Sequence, residues 1–101
     1  MKFEQLAAAV TSWAKERGIY EHSTATAQLL KAVSEMGELC DAEAKKDLRA
    51  QIDAIGDVMV CLINYSTMHQ LDIVSCLEAA YDEIKDRKGR MIAGGVFIKE
   101  E

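Results

Sequence analysis

An all-α fold, an antiparallel four-helix bundle with a short C-terminal extended or hairpin tail, is predicted by three features of this 101-residue sequence. Proline is absent, and Ala, Leu, Glu and Lys, all good helix formers, abound. Apolar residues recur at i, i+3, i+4 and i+7 in successive segments, the period of a helix with one buried face. Each segment is bounded by residues that start or stop helices. Residues 1–101 are expected to form a single domain.

The first helix is expected from about Lys2 to Arg17, with Phe3, Leu6, Ala7, Val10, Trp13 and Ala14 as its apolar stripe. Gly18 should end it, because a left-handed conformation is inexpensive for Gly. Ile19 to Ser23 reads as a connector, and Ser23 or Thr24 as the N-cap of a second helix reaching Lys45 or Lys46. In that helix Leu29, Leu30, Val33, Met36, Leu39 and Cys40 are the apolar positions. Asp47 should cap a third helix running to His69 or Gln70. There an apolar arc of Ile52, Ile55, Met59, Leu62 and Ile63 lies opposite a polar stripe of Asp53, Asp57 and Asn64. Asp72 should cap a fourth helix with Ile73, Val74, Leu77, Ala80, Tyr81 and Ile84, whose basic end is weakened by Gly89. Beyond it, two short apolar runs flank Gly94 and Gly95, a hairpin signal.

Composition narrows the function. A formal net charge of −5 argues against nonspecific binding to a nucleic-acid backbone. No run approaches the ~20 apolar residues of a membrane span, so no membrane partner is expected and the localisation read from the sequence is cytoplasmic. Cys40, Cys61 and Cys76 are odd in number and lack CxxC spacing, and they read as small buried hydrophobes in a reducing compartment. Half the residues are hydrophobic, more than so small a core needs, which points to a homo-oligomer, either a dimer or a dimer of dimers. Trp13 reads as core or subunit packing. His22 reads as a surface loop residue, and His69 as an imidazole suited to a helix C-terminus.

Two acid pairs carry the chemistry. Glu35 and Glu38, three apart, share one face of the second helix, as do Asp53 and Asp57, four apart, on the third. Gly37 and Gly56 stand beside them, where a mid-helix Gly costs about 1 kcal/mol relative to Ala. The reading is close approach of the two helices, so that four carboxylates converge on a cation. Magnesium suits such oxygen ligands and shares its site with phosphates, and manganese is a possible substitute. Lys31, one turn before Glu35, can reach a phosphate or a polarised water. Asn64, two turns beyond Asp57, is a candidate for base or ribose contact.

Three blocks, Gln28 to Leu39 (QLLKAVSEMGEL), Ile55 to Val60 (IGDVMV) and Ala79 to Gly89 (AAYDEIKDRKG), resemble the MazG-like branch of the all-α nucleoside triphosphate pyrophosphatases. The resemblance implies a helical, oligomeric, magnesium-dependent enzyme that cleaves a nucleoside triphosphate, expected to be a deoxynucleotide, into monophosphate and pyrophosphate as nucleotide-pool house-cleaning. It places Glu35 and Glu38 in the ExxE motif and Asp57 at the end of ExxD. The Glu of ExxD falls on Ala54, and Asp53 stands in for it. The implied roles are metal binding by Glu35, Glu38, Asp53 and Asp57, and catalysis by Glu35, Glu38 and Lys31. Substrate binding falls to Lys31, Asn64, Asp82, Lys85, Arg87 and Lys88. The vacancy at Ala54 leaves an alternative, a catalytically weakened nucleotide-binding or regulatory module of the same fold.

Overall fold

The computed structural model describes residues 1–100. Five helices and one hairpin follow in order: α1 (Phe3–Glu16), α2 (Ile19–His22), α3 (Ala25–Lys45), α4 (Leu48–Met68), α5 (Ile73–Ile84), β1 (Lys88–Ile92) and β2 (Val96–Glu100). The caps explain the boundaries. The Thr24 hydroxyl accepts from the Ala27 amide at 3.0 Å, Asp47 from Ala50 at 3.2 Å, and Asp72 from Ser75 at 3.2 Å. Gly18 takes up the left-handed conformation after α1 (φ 76°). Lys46 does the same between α3 and α4 (φ 54°), so two long helices turn back on each other within very few residues.

Helix α2 replaces the expected connector. It is a single turn closed by bonds from His22 N to the Gly18 carbonyl (2.9 Å) and from Ser23 N to the Ile19 carbonyl (2.8 Å). A long-range contact also holds it, since the Tyr20 hydroxyl donates to Asn64 Oδ1 on α4 at 2.8 Å. Periodicity within one turn cannot reveal such an anchor.

The centre of the molecule is the antiparallel pair α3–α4, with α1 laid against α4. The buried residues there are mostly small or polar: Gln28, Ala32 and Ala42 on α3, and Ala54, Val58, Cys61, Asn64 and Ser66 on α4, with Ile63 of α4 the large exception. Alanines therefore let the two helices approach. Gly37 and Gly56 do not, because a Cβ on either would meet nothing within 4 Å. Both glycines are exposed, on the faces that also carry the large apolar residues.

Those faces point outward. Leu30 is 63% exposed, Val33 65%, Ile52 63% and Ile55 51%. The apolar stripes legible in α3 and α4 thus lie largely outside, and the polar stripe of α4 borders the inside. The chain is all-α with a C-terminal hairpin as expected, but it has five helices and the stripes are not closed within one chain. Helix α5 has no buried residue and packs mainly against α4 and α1. Of the cysteines, Cys61 is buried as expected, while Cys40 and Cys76 are exposed; all three are free thiols.

The tail forms the expected antiparallel hairpin, in register from Lys88 opposite Glu100 to Ile92 opposite Val96. Gly94 (φ 91°) and Gly95 (φ 78°) make its turn. The basic segment straddles the end of α5: Lys85 is its C-cap and the Arg87 amide bonds back to the Ile84 carbonyl, whereas Lys88 and Arg90 belong to β1. Gly89 has a cross-strand reason, since a Cβ there would run into the Phe97 ring and the Ile98 carbonyl.

Candidate active site

Two hollows follow one another along the α3–α4 seam. The first, about 490 Å³, is walled by Leu6, Ala9, Val10 and Trp13 of α1, and opposite them by Lys31, Glu35, Asp57, Val60 and Cys61. The second, about 350 Å³, lies nearer the α3–α4 turn and is lined by Glu38, Asp41, Lys45, Asp47, Asp53 and Ala54, among others. Helical spacing produces this division. Lys31, Glu35 and Glu38 lie on one flank of α3, and Asp53 and Asp57 on the facing flank of α4.

The four carboxylates expected to meet at one cation are thus shared between neighbouring hollows, with Glu35 and Asp57 in one and Glu38 and Asp53 in the next. Among the described residues, no three Asp, Glu, His or Cys side chains are near enough to form a ready-made metal cage. Ala54, at the motif position of a glutamate, is 4% exposed and packs in the seam. Asp53 beside it is exposed.

Glu35 is the electrostatic focus. Its Oε2 is buried without a hydrogen-bond partner, an orphaned acceptor of a kind that carries a desolvation cost unless a cation or donor meets it. Its carboxyl is held above the ordinary value, first by hydrogen bonding with the Glu38 carboxyl, then by loss of solvent and by the charges of Glu38 and Asp57. Lys31 opposes the shift. Carboxylates crowded in this way are stabilised by an incoming cation. The donor set, hard carboxylate oxygens with a lysine beside them, fits a divalent magnesium or manganese ion and a phosphate better than a soft metal. Burial pushes the Cys61 thiol up as well, with Lys31 opposing and Glu35 and Asp57 adding to the rise, so Cys61 is wall and not nucleophile.

The remaining expected residues lie elsewhere. Asn64 is 2% exposed. Its carbonyl accepts from Tyr20, and its amide donates to Gln28 Oε1 at 3.4 Å, while Gln28 donates onward to Ser23 Oγ at 3.2 Å. Both ends of Asn64 thus serve a network tying α2, α3 and α4 together, and it lines neither hollow. Asp82, Lys85, Arg87 and Lys88 line neither hollow. Asp82 pairs with Lys85 at 3.3 Å and Glu83 with Arg87 at 3.9 Å, all four on the surface of this chain. Trp13, by contrast, is 44% exposed on the cavity wall and not in the core. Its place on the α1 stripe suggests core or subunit packing, and in the single chain it shares a hollow with Glu35.

No family model matches the chain. Over 71 residues, 70% of its length, it is 34% identical to an uncharacterised 18.2 kDa protein of the rep–hol intergenic region of Haemophilus phage HP1 (strain HP1c1), and it spans 44% of that protein. Less than half of the curated relative is therefore represented. Among solved structures the chain superposes over its full length, and over 95% of the other chain, on a cyanophage S-2L MazG-like pyrophosphohydrolase, with a TM-score of 0.73. The fold is MazG-like. That solved protein is bound to dGDP and three catalytic Mn2+ ions per active site, and it shares 16% of its residues with this chain. At that identity the likeness covers the MazG-like backbone, and the chemistry must be argued from the residues above. No helix among the described residues is long and apolar enough to cross a membrane.

Proposed function

We propose that this protein is a divalent-metal-dependent nucleoside triphosphate pyrophosphohydrolase, acting on deoxynucleotides and serving nucleotide-pool house-cleaning. One observation carries the reading: a single cavity has an orphaned carboxylate oxygen, a second acid and a lysine on one wall, and an indole with aliphatic side chains on the other. A nucleotide has the same polarity, charged at the phosphates and apolar at the base. A volume of about 490 Å³ lies in the range of small-ligand sites. The solved MazG-like enzyme with dGDP and Mn2+ supports a nucleotide ligand and a divalent metal.

In this reading Glu35 and Asp57, with Glu38 and Asp53 from the adjoining hollow, hold magnesium, or manganese in its place. The metal would supply charge neutralisation and a more acidic water. Glu35, whose carboxyl is held above its ordinary value and is the more basic for it, would accept a proton from the attacking water, and Glu38 beside it would relay that proton. Lys31 lies on the phosphate side and offsets charge on the triphosphate. Leu6, Val10 and Trp13 exclude water from the nucleoside and orient it. Hydrolysis of the α–β anhydride then yields monophosphate and pyrophosphate.

The outward apolar faces of α3 and α4 carry the proposal that the protein is a homodimer or a dimer of dimers. Several large side chains more than half exposed on one side of a helix pair exceed the scattered apolar exposure normal for a monomer. The alternative, a nucleotide-binding module with weakened catalysis, is favoured by the buried Ala54. A nucleotide panel with magnesium or manganese, read as phosphate after added inorganic pyrophosphatase, separates the two. Phosphate that depends on the added pyrophosphatase is expected. Nucleotide-dependent thermal stabilisation without phosphate from any nucleotide selects the binding module, and neither response removes both readings.

A further inference from the structure

The C-terminal hairpin is unpartnered in its own chain. Every residue of β1 and β2 is exposed, among them Met91 (62%), Val96 (53%) and Phe97 (45%). The hairpin makes no substantial contact with the described helices. The chain is correspondingly extended, with a radius of gyration of 16.3 Å where about 13 Å is usual for a compact domain of this length. A two-stranded hairpin is marginal in water unless it packs on something. Charge says what that is. Residues 1–84 carry seven Lys and Arg against fourteen Asp and Glu, whereas residues 85–100 carry five against two. The cavity itself shows the complementary lack: its lining contains one cation, Lys31, against two carboxylates there and a triphosphate still to be bound.

We propose that the basic arm of one copy, residues 85–100, docks on the carboxylate cavity of a second copy and supplies Arg87, Lys88 and Arg90 to the polyphosphate, so that each site is completed in trans. This rests on the function proposed above for the cavity, and it explains why the basic cluster expected at the site lies away from it in the single chain. Alternation along the strands puts Lys88 and Arg90 on the same hairpin face as Ile98, opposite Arg90, and as Ile92 and Val96 beside the turn, so the face that presents the cations also carries apolar side chains to cover against the second copy.

Two measurements test it. The first is independent of activity. A benzophenone amino acid replaces Ile98, on the face of Lys88 and Arg90, in the full-length protein, and equal amounts of 14N- and 15N-labelled copies are mixed and illuminated. Cross-links between differently labelled copies, onto peptides of α3 or α4 bearing Glu35 or Asp57, are expected. Cross-links confined to one copy, or falling elsewhere, overturn the proposal. The second is complementation. Glu35→Gln has an impaired cavity and an intact arm, and Arg87→Ala/Lys88→Ala/Arg90→Ala has the reverse. Each alone should be inactive, and co-expression should restore about a quarter of wild-type activity, since half of random dimers are mixed and each has one complete site. No restoration from a folded, mixed oligomer overturns the trans arrangement. If wild-type protein hydrolyses no nucleotide, the functional reading fails, and the cross-linking alone decides where the arm lies.

Discussion

The two sides of the α3–α4 pair differ in almost every respect. On the inner side, alanines, a cysteine and a hydrogen-bonded Gln28–Asn64 pair sit within a few per cent of full burial. On the outer side Leu30, Val33, Ile52 and Ile55 stand more than half exposed, with Gly37 and Gly56 flush among them. The side with less apolar surface is the buried one. Small side chains let backbones approach, and close approach brings Glu35 and Asp57 to one cavity. Large side chains would hold the helices apart. The difference teaches that the strongest hydrophobic stripes here face outward, where the proposed contact between copies would cover them, while the seam gathers the acids.

The comparison can be broken most sharply at Glu35. Replacing it with Gln keeps the shape and removes the charge, and nucleotide hydrolysis should fall roughly a hundred- to ten-thousand-fold, read as kcat/KM. The same change sharpens the electrostatic account without any metal. Because the folded protein raises the Glu35 carboxyl above its ordinary value, it binds this proton more tightly than the unfolded chain does. Stability should therefore fall as pH rises from the ordinary carboxylate range through the raised value. Glu35→Gln should flatten that slope and raise Tm near neutrality when a chelator is present, with the gain vanishing in acid.

Next in size is the seam. Ala54→Leu inserts bulk between α3 and α4 and should cost about 1–3 kcal/mol in denaturant unfolding. Asn64→Ala strands the Tyr20 hydroxyl and the Gln28 carbonyl, with a loss on the order of 1–3 kcal/mol. On the outer side, Val33→Lys should leave the helical content of the chain intact and shift sedimentation toward monomer. If Val33→Lys unfolded the protein while Ala54→Leu did not, the assignment of the two sides would be reversed. The smallest effect is expected at Gly89→Ala, which should open the hairpin through the Phe97 clash and leave helix unfolding nearly unchanged by circular dichroism.

Much of this was legible in the residues. The caps at Thr24, Asp47 and Asp72 and the glycine turn at residues 94–95 depend on local chemistry, and they fall where local chemistry places them. What periodicity does not carry is which way a stripe faces. A wheel shows that Ile52, Ile55 and Met59 share a side of α4, but not whether that side meets the same chain or another. The same limit explains Trp13, on a correctly drawn stripe whose edge opens to the cavity, and Asn64, on the acid flank but bonded to Tyr20 and Gln28. Glu35, Asp57 and Lys31 came together because helical spacing and the α3–α4 turn suffice to align them. Asp82, Lys85, Arg87 and Lys88 did not, because α5 ends at Ile84 and its continuation turns into a strand.

The central claim is cleavage between the α and β phosphates at the Glu35–Asp57 cavity. The most direct test is 31P NMR of a deoxynucleoside triphosphate incubated with the wild-type protein and Mn2+ in 18O-enriched water. The account predicts equimolar nucleoside monophosphate and pyrophosphate from the wild type and neither from Glu35→Gln. Release of orthophosphate with a nucleoside diphosphate, or an unchanged triphosphate spectrum, would contradict it.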